Sequence, residues 1–82
     1  MKTLTFQVLD QKTFCWLECT YETESILRNR LMRVEMTVDK QNFSLDIADL
    51  RTEHPLLYKE IANAMANNAE SYYEETKEVE HA

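Results

Sequence analysis

The chain of 82 residues contains no glycine and a single proline, Pro55. Without glycine, no glycine-rich loop can cradle a phosphate, and backbone turns that need a positive φ fall to residues such as Asn and Asp. Cysteine is scarce as well. Cys15 and Cys19 would stand ~13 Å apart on one strand, beyond disulfide reach, and they form neither a CxxC pair nor a Cys/His metal spacing. Both are read as reduced, buried thiols. No apolar run approaches the ~20 residues that span a bilayer, and residues 1–6 alternate instead of forming a signal-peptide core, so a cytoplasmic protein with no membrane contact is expected. Lys and Arg number 9 against 15 Asp and Glu. That balance argues against direct nucleic-acid binding, which needs a net basic face to neutralise phosphates.

Catalytic sets are missing too. The two histidines are His54, beside Pro55, and His81, four residues beyond Lys77; neither is placed to serve a nucleophile held by a third group. Paired carboxylates such as Glu74 and Glu75, or Asp46 and Asp49, fall in segments open to water, where nothing separates their pKa values for acid–base work. Residues 39–42 lack the ligand order and glycine of a calcium loop. The expectation is a protein that is not an enzyme and binds no cofactor or metal.

What is present is a hydrophobic content of 44% with three Phe, one Trp and four Tyr, enough for one small core that buries about 60–65% of the unfolded surface. Residues 1–78 are read as a single domain and residues 79–82 as a frayed acidic tail. Leu4, Phe6 and Val8 alternate with Thr3, Thr5 and Gln7, the period of a half-buried strand. After a polar break at residues 10–12, Phe14 and Trp16 alternate with Cys15, Leu17, Cys19 and Tyr21 in a strand apolar on both faces, which suits a central position. Met32, Val34, Met36 and Val38 form a third strand, and Phe43, Leu45 and Ile47 a fourth, joined by the polar residues 39–42 as a hairpin. Residues 22–30 are ambiguous: Ile26, Leu27 and Leu31 fit a short helix starting after Thr23, whereas Arg28, Asn29 and Arg30 fit a loop.

From Pro55 onward the period changes. At 100° per residue Leu57, Ile61, Ala64, Met65, Asn68, Tyr72 and Val79 share an arc of roughly 100°. Pro55 suits a first helical turn, with Thr52 or His54 as the cap. The predicted fold is α+β: a four-stranded antiparallel sheet of two hairpins, one face covered by a long C-terminal helix. Its core should contain Phe6, Val8, Leu17, Val34, Met36, Leu45, Ile47, Leu57, Ile61 and Met65.

The opposite arc of the helix carries Glu60, Asn63, Asn67, Glu70, Glu74 and Glu78. Residues 52–82 hold seven acids against two lysines, −5 of the chain's net charge of −6. Glutamates four apart repel by a few tenths of a kcal/mol per pair, and those near the helix C-terminus also oppose its dipole. Local stability does not explain such a stripe. A helix of ~24 residues is ~36 Å long and strands of six to eight residues only ~20–27 Å, so Tyr72 and Tyr73 are expected to project past the sheet. Glu60, Asn63, Asn67, Glu70, Tyr73, Glu74 and Glu78 are therefore the candidate partner-binding residues. The Arg28, Arg30, Arg33 cluster lies among Glu22, Glu24 and Glu35 and reads as a locally paired face.

In size, acidity and lack of a catalytic set, the chain resembles the small acidic proteins that phages and mobile elements use as inhibitors, including anti-CRISPR and anti-restriction proteins. The resemblance is one of composition and assigns no residue a role; the expected mechanism, read from the acidic stripe, is steric and electrostatic, with carboxylates along a helix occupying a basic groove of a nucleic-acid-binding protein. The alternative is a homo-oligomeric structural or assembly subunit, a homodimer among them, in which Trp16 and the tyrosine overhang pack against a symmetry mate.

Overall fold

The computed structural model describes the backbone of residues 1–81 and the side chains of residues 1–75. Four antiparallel strands, β1 (Lys2–Asp10), β2 (Cys15–Ser25), β3 (Arg28–Val38) and β4 (Gln41–Leu45), form a meander in the order β1-β2-β3-β4. Two helices follow, α1 (Ile47–Glu53) and α2 (Pro55–His81), and α2 packs across β1, β2 and β3. The α+β fold and the four-stranded antiparallel sheet are as the alternation predicts.

The inner face of the sheet carries Leu4, Phe6 and Val8 opposite Tyr21, Cys19 and Leu17, then Val34 and Met36 opposite Cys19 and Leu17. Phe6, Leu17, Cys19, Tyr21, Val34, Leu50, Ile61 and Ala69 form the buried core, with Val8, Met36, Leu45, Ile47, Leu57 and Met65 packed around it. Every residue expected in the core is in it or against it. At about 25 cal/mol per Å² of apolar surface, each fully buried large side chain, such as Leu17, Val34 or Ile61, stabilises the fold by about 1.5–3 kcal/mol. Strand β2 is central, but its outer face is not apolar: Glu18, Thr20 and Glu22 share it with a half-exposed Trp16.

Three further expectations are corrected. Residues 22–30 form neither a helix nor a loop. The inward alternation of β2 continues through Tyr21 to Thr23, which is only 1% exposed, and the chain reverses at the exposed Ile26 and Leu27 to pair Ser25 with Arg28. Asn29 Nδ2 donates to the Ile26 carbonyl at 3.0 Å and ties the turn. The β3–β4 connection is shorter than the four polar residues suggest. Val38 pairs with Gln41, leaving Asp39 (φ 50°) and Lys40 (φ 67°) as a two-residue turn with positive φ at both positions, as the right-handed strand twist favours.

The third correction concerns residues 46–54. The alternation at Phe43, Leu45 and Ile47 predicts strand through Ile47, yet β4 stops at Leu45. Asp46 caps α1 by accepting from the amides of Ala48 (2.8 Å) and Asp49 (3.3 Å), an arrangement worth ~1 kcal/mol. Helix α1 exists to bury Leu50 (4% exposed). It ends where the His54 amide bonds the Leu50 carbonyl, and the His54 carbonyl accepts the first bond of α2 from Tyr58. His54 thus holds the cap position before Pro55, while Thr52 lies inside α1. Arg51 crosses the gap, 5.4 Å from the centroid of the Tyr58 ring.

No helix among the described residues is long and apolar enough to cross a membrane.

Candidate functional site

Of the candidate residues, Glu60, Asn63, Asn67, Glu70 and Glu74 are all exposed on the side of α2 that faces away from the sheet. They run along ~21 Å of helix, with Glu70 and Glu74 one turn apart. Among the described residues the ion pairs are Arg28–Glu24 at 3.7 Å and Arg33–Glu35 at 2.8 Å, so none of the α2 glutamates is neutralised by a salt bridge there. Between Pro55 and Glu75 the helix carries four Glu and one Lys. The arginine cluster is locally paired at two of its three members, as read from the sequence.

Tyr73 is placed differently. The overhang expected of Tyr72 and Tyr73 does not occur at either residue, because both are half-buried. Strands β2 and β3 each run 11 residues, ~36 Å and not the six to eight residues expected, so the sheet extends far enough for Thr23 of β2 to meet Tyr73. The Tyr73 hydroxyl lies 2.9 Å from Thr23 Oγ1, and its ring meets that of Tyr72 edge to face, centroids 5.0 Å apart. The Glu78 side chain and the tail expected at residues 79–82 lie outside the described side chains.

The buried arc of α2 is also wider than the apolar stripe. It takes in Tyr58, Ala62, Ala69 and Tyr73 as well as Leu57, Ile61 and Met65, roughly half the helix circumference at 100° per residue. Ala69 is fully buried, and its small side chain lets the helix approach the sheet closely. Beside it in the helix is Asn68, whose Oδ1 accepts from the hydroxyl of Tyr21, buried on β2, at 2.7 Å. Burial, then the neighbouring Tyr73 and Tyr72, push the Tyr21 phenol above its ordinary pKa. Sequence periodicity sets Asn68 on the core arc of α2 but cannot report its partner, and Thr23 carries no apolar signal of its own.

Buried Cys19 has its thiol pushed up to about 11, by burial and then by the Glu18 carboxylate. A thiol so held is protonated at neutral pH and is a poor nucleophile or metal ligand. Among the described residues, no group of three or more His, Cys, Asp or Glu is placed to hold a metal ion. At the other end of the molecule, an apolar groove of about 510 Å³ lies between the β1–β2 turn and the α1–α2 junction, with Met36, Leu45, Leu50 and Leu57 in its lining. Its polar rim includes His54 and Glu60.

No family model, curated protein or solved structure matches this chain.

Proposed function

We propose that the protein is a non-catalytic interaction module whose acidic α2 face, Glu60, Asn63, Asn67, Glu70 and Glu74, docks on a basic surface of a partner protein. The observation that carries this reading is the grouping of Glu60, Glu70 and Glu74 on one exposed face of α2, without ion pairs among the described residues, while Leu57, Ile61 and Met65 pack on the core. Unpaired carboxylates at helical spacing attract a basic groove over about a Debye length and raise the encounter rate. Such a groove in a nucleic-acid-binding protein would otherwise hold phosphates, and filling it would make the chain an inhibitor of the phage or mobile-element type. Tyr73 is left out of the docking surface, since its hydroxyl is engaged by Thr23.

The test is affinity capture from the native host at 50 and 500 mM salt, with the parent chain and a Glu60→Lys, Glu70→Lys, Glu74→Lys variant as baits. All three positions face water and their reversal relieves like-charge repulsion, so the variant should keep the parent's circular dichroism and melting temperature. The parent should recover a basic partner at low salt and lose it at high salt; the variant should recover none at either. Equal recovery by both baits removes the reading.

A further inference from the structure

From the geometry of β1 we infer that this strand is a homodimerisation edge, pairing antiparallel with β1 of a second copy about a two-fold axis at Phe6 to give one continuous eight-stranded sheet. This interface is separate from the acidic face of α2, so either can fail without the other.

Strands β1 and β4 are the two edges of the sheet. Edge strands expose a row of unpaired backbone N–H and C=O groups, and proteins that stay monomeric blunt them by shortness, proline, bulges or charges in mid-strand. Strand β4 is blunted: it has five residues and turns directly into the Asp46 cap of α1. Strand β1 has none of these devices. It is nine residues long, has no proline, and its register with β2 runs without a break from Lys2–Thr23 to Asp10–Cys15. The bulges of this sheet lie instead between β2 and β3. Strand β1 packs on β2 along one edge and on α2 across its inner face, which leaves the second edge for another strand.

The sequence of β1 is complementary to itself. Its only charges are Lys2 and Asp10, one at each end. An antiparallel pairing centred on Phe6 sets Lys2 opposite the second copy's Asp10, Leu4 opposite Val8, and Thr5 opposite Gln7, and each match occurs twice by symmetry. Inner-face residues meet inner-face residues, so both helices cover the same side of the joined sheet. Sliding by two residues leaves Lys2 opposite Val8 or Asp10 opposite Leu4 and loses both charge pairs. Sliding by one brings the polar face of one copy into line with the apolar face of the other. The Asp10 carboxylate is already oriented, accepting from the Lys12 amide (3.1 Å) and the Thr13 hydroxyl (3.0 Å), and its charge remains available to Lys2. On the outer face Leu9, paired with the half-exposed Trp16, gains Thr3 of the second copy as a neighbour.

The test uses two variants of the full chain at Thr5 and Gln7, exposed positions on the face away from the helix. Thr5→Lys with Gln7→Lys puts lysine opposite lysine twice across the axis. Thr5→Glu with Gln7→Lys puts glutamate opposite lysine twice. Both variants set the lysine that replaces Gln7 across from Glu18 within the monomer, so both should fold. Sedimentation equilibrium should show a dimer for the parent, dimerisation at least about tenfold weaker for the double-lysine variant, and near-parental dimerisation for the mixed pair. Amide exchange should show alternate residues between Thr3 and Leu9 becoming protected as protein concentration rises. A parent that is monomeric at millimolar concentration, equal dimerisation of the two variants, or a dimer in which the free-edge amides of β1 exchange like those of an exposed turn would each overturn the inference.

Discussion

The hydroxyls of Tyr73 on α2 and Thr23 on β2 lie 2.9 Å apart, fifty residues distant in the chain. Thr23 gives its single hydrogen to the Ser25 carbonyl at 3.1 Å, so Tyr73 is the donor and Thr23 Oγ1 the acceptor. Two strand positions away, Tyr21 donates to Asn68. Alternate inward residues of β2 thus hold two points on α2, setting the rotation of the helix on an otherwise apolar layer. Directional bonds do this where apolar contacts, being non-directional, would allow the helix to roll.

Removing that hydroxyl tests its contribution. Tyr73→Phe should destabilise the fold by about 0.5–1.5 kcal/mol, read as a lower urea midpoint with unchanged slope. In a cycle with Thr23→Val, the double variant should lose less than the sum of the single losses. Strict additivity would mean that the two hydroxyls are not coupled.

The β3–β4 turn holds a lysine at φ 67°, a conformation in which a Cβ costs roughly 1–2 kcal/mol and glycine is unpenalised. Lys40→Gly converts the turn to the Asp-Gly pair that suits this geometry best. We expect a gain of ~0.5–1 kcal/mol, after glycine's extra unfolded-state entropy, and a melting temperature several degrees higher. An unchanged or lower melting temperature would show that the turn carries no such strain.

Cys19 makes stability depend on alkaline pH. Its folded pKa, about 11, lies above the ordinary 9.0, so the fold favours the protonated thiol. Stability from this group is complete below pH 9 and is lost as the unfolded chain deprotonates, until the folded thiol also ionises near pH 11. The loss should be on the order of 2 kcal/mol, and the raised Tyr21 phenol acts in the same direction at higher pH. Cys19→Ala should flatten the slope of the urea midpoint between pH 9 and 11. A thiol reagent near neutral pH should find half-buried Cys15 long before Cys19, and two free thiols per denatured chain.

The groups that a periodic pattern can report were legible in the sequence: four alternating runs, one helical run, half of the buried core (Phe6, Leu17, Val34 and Ile61) with the apolar residues packed around it, and the exposure of Glu60, Asn63, Asn67, Glu70 and Glu74. Each follows from a local rule, the two-residue repeat of a strand or the 3.6-residue repeat of a helix, applied to neighbouring residues. Tertiary structure decided the rest. Ile47 continues the alternation of β4 yet begins α1, because burying Leu50 and capping with Asp46 outweigh so short a strand pattern. Thr23 is polar and fully enclosed, since its hydroxyl is satisfied by Ser25 and by a tyrosine that only folding brings near. Tyr73 belongs to the sheet and not to an overhang because β2 and β3 run on to Ser25 and from Arg28, and their length depends on pairing with each other. A local pattern shows which side chains leave water; which of them meet, and which polar groups find partners inside, depends on contacts between residues far apart in the chain.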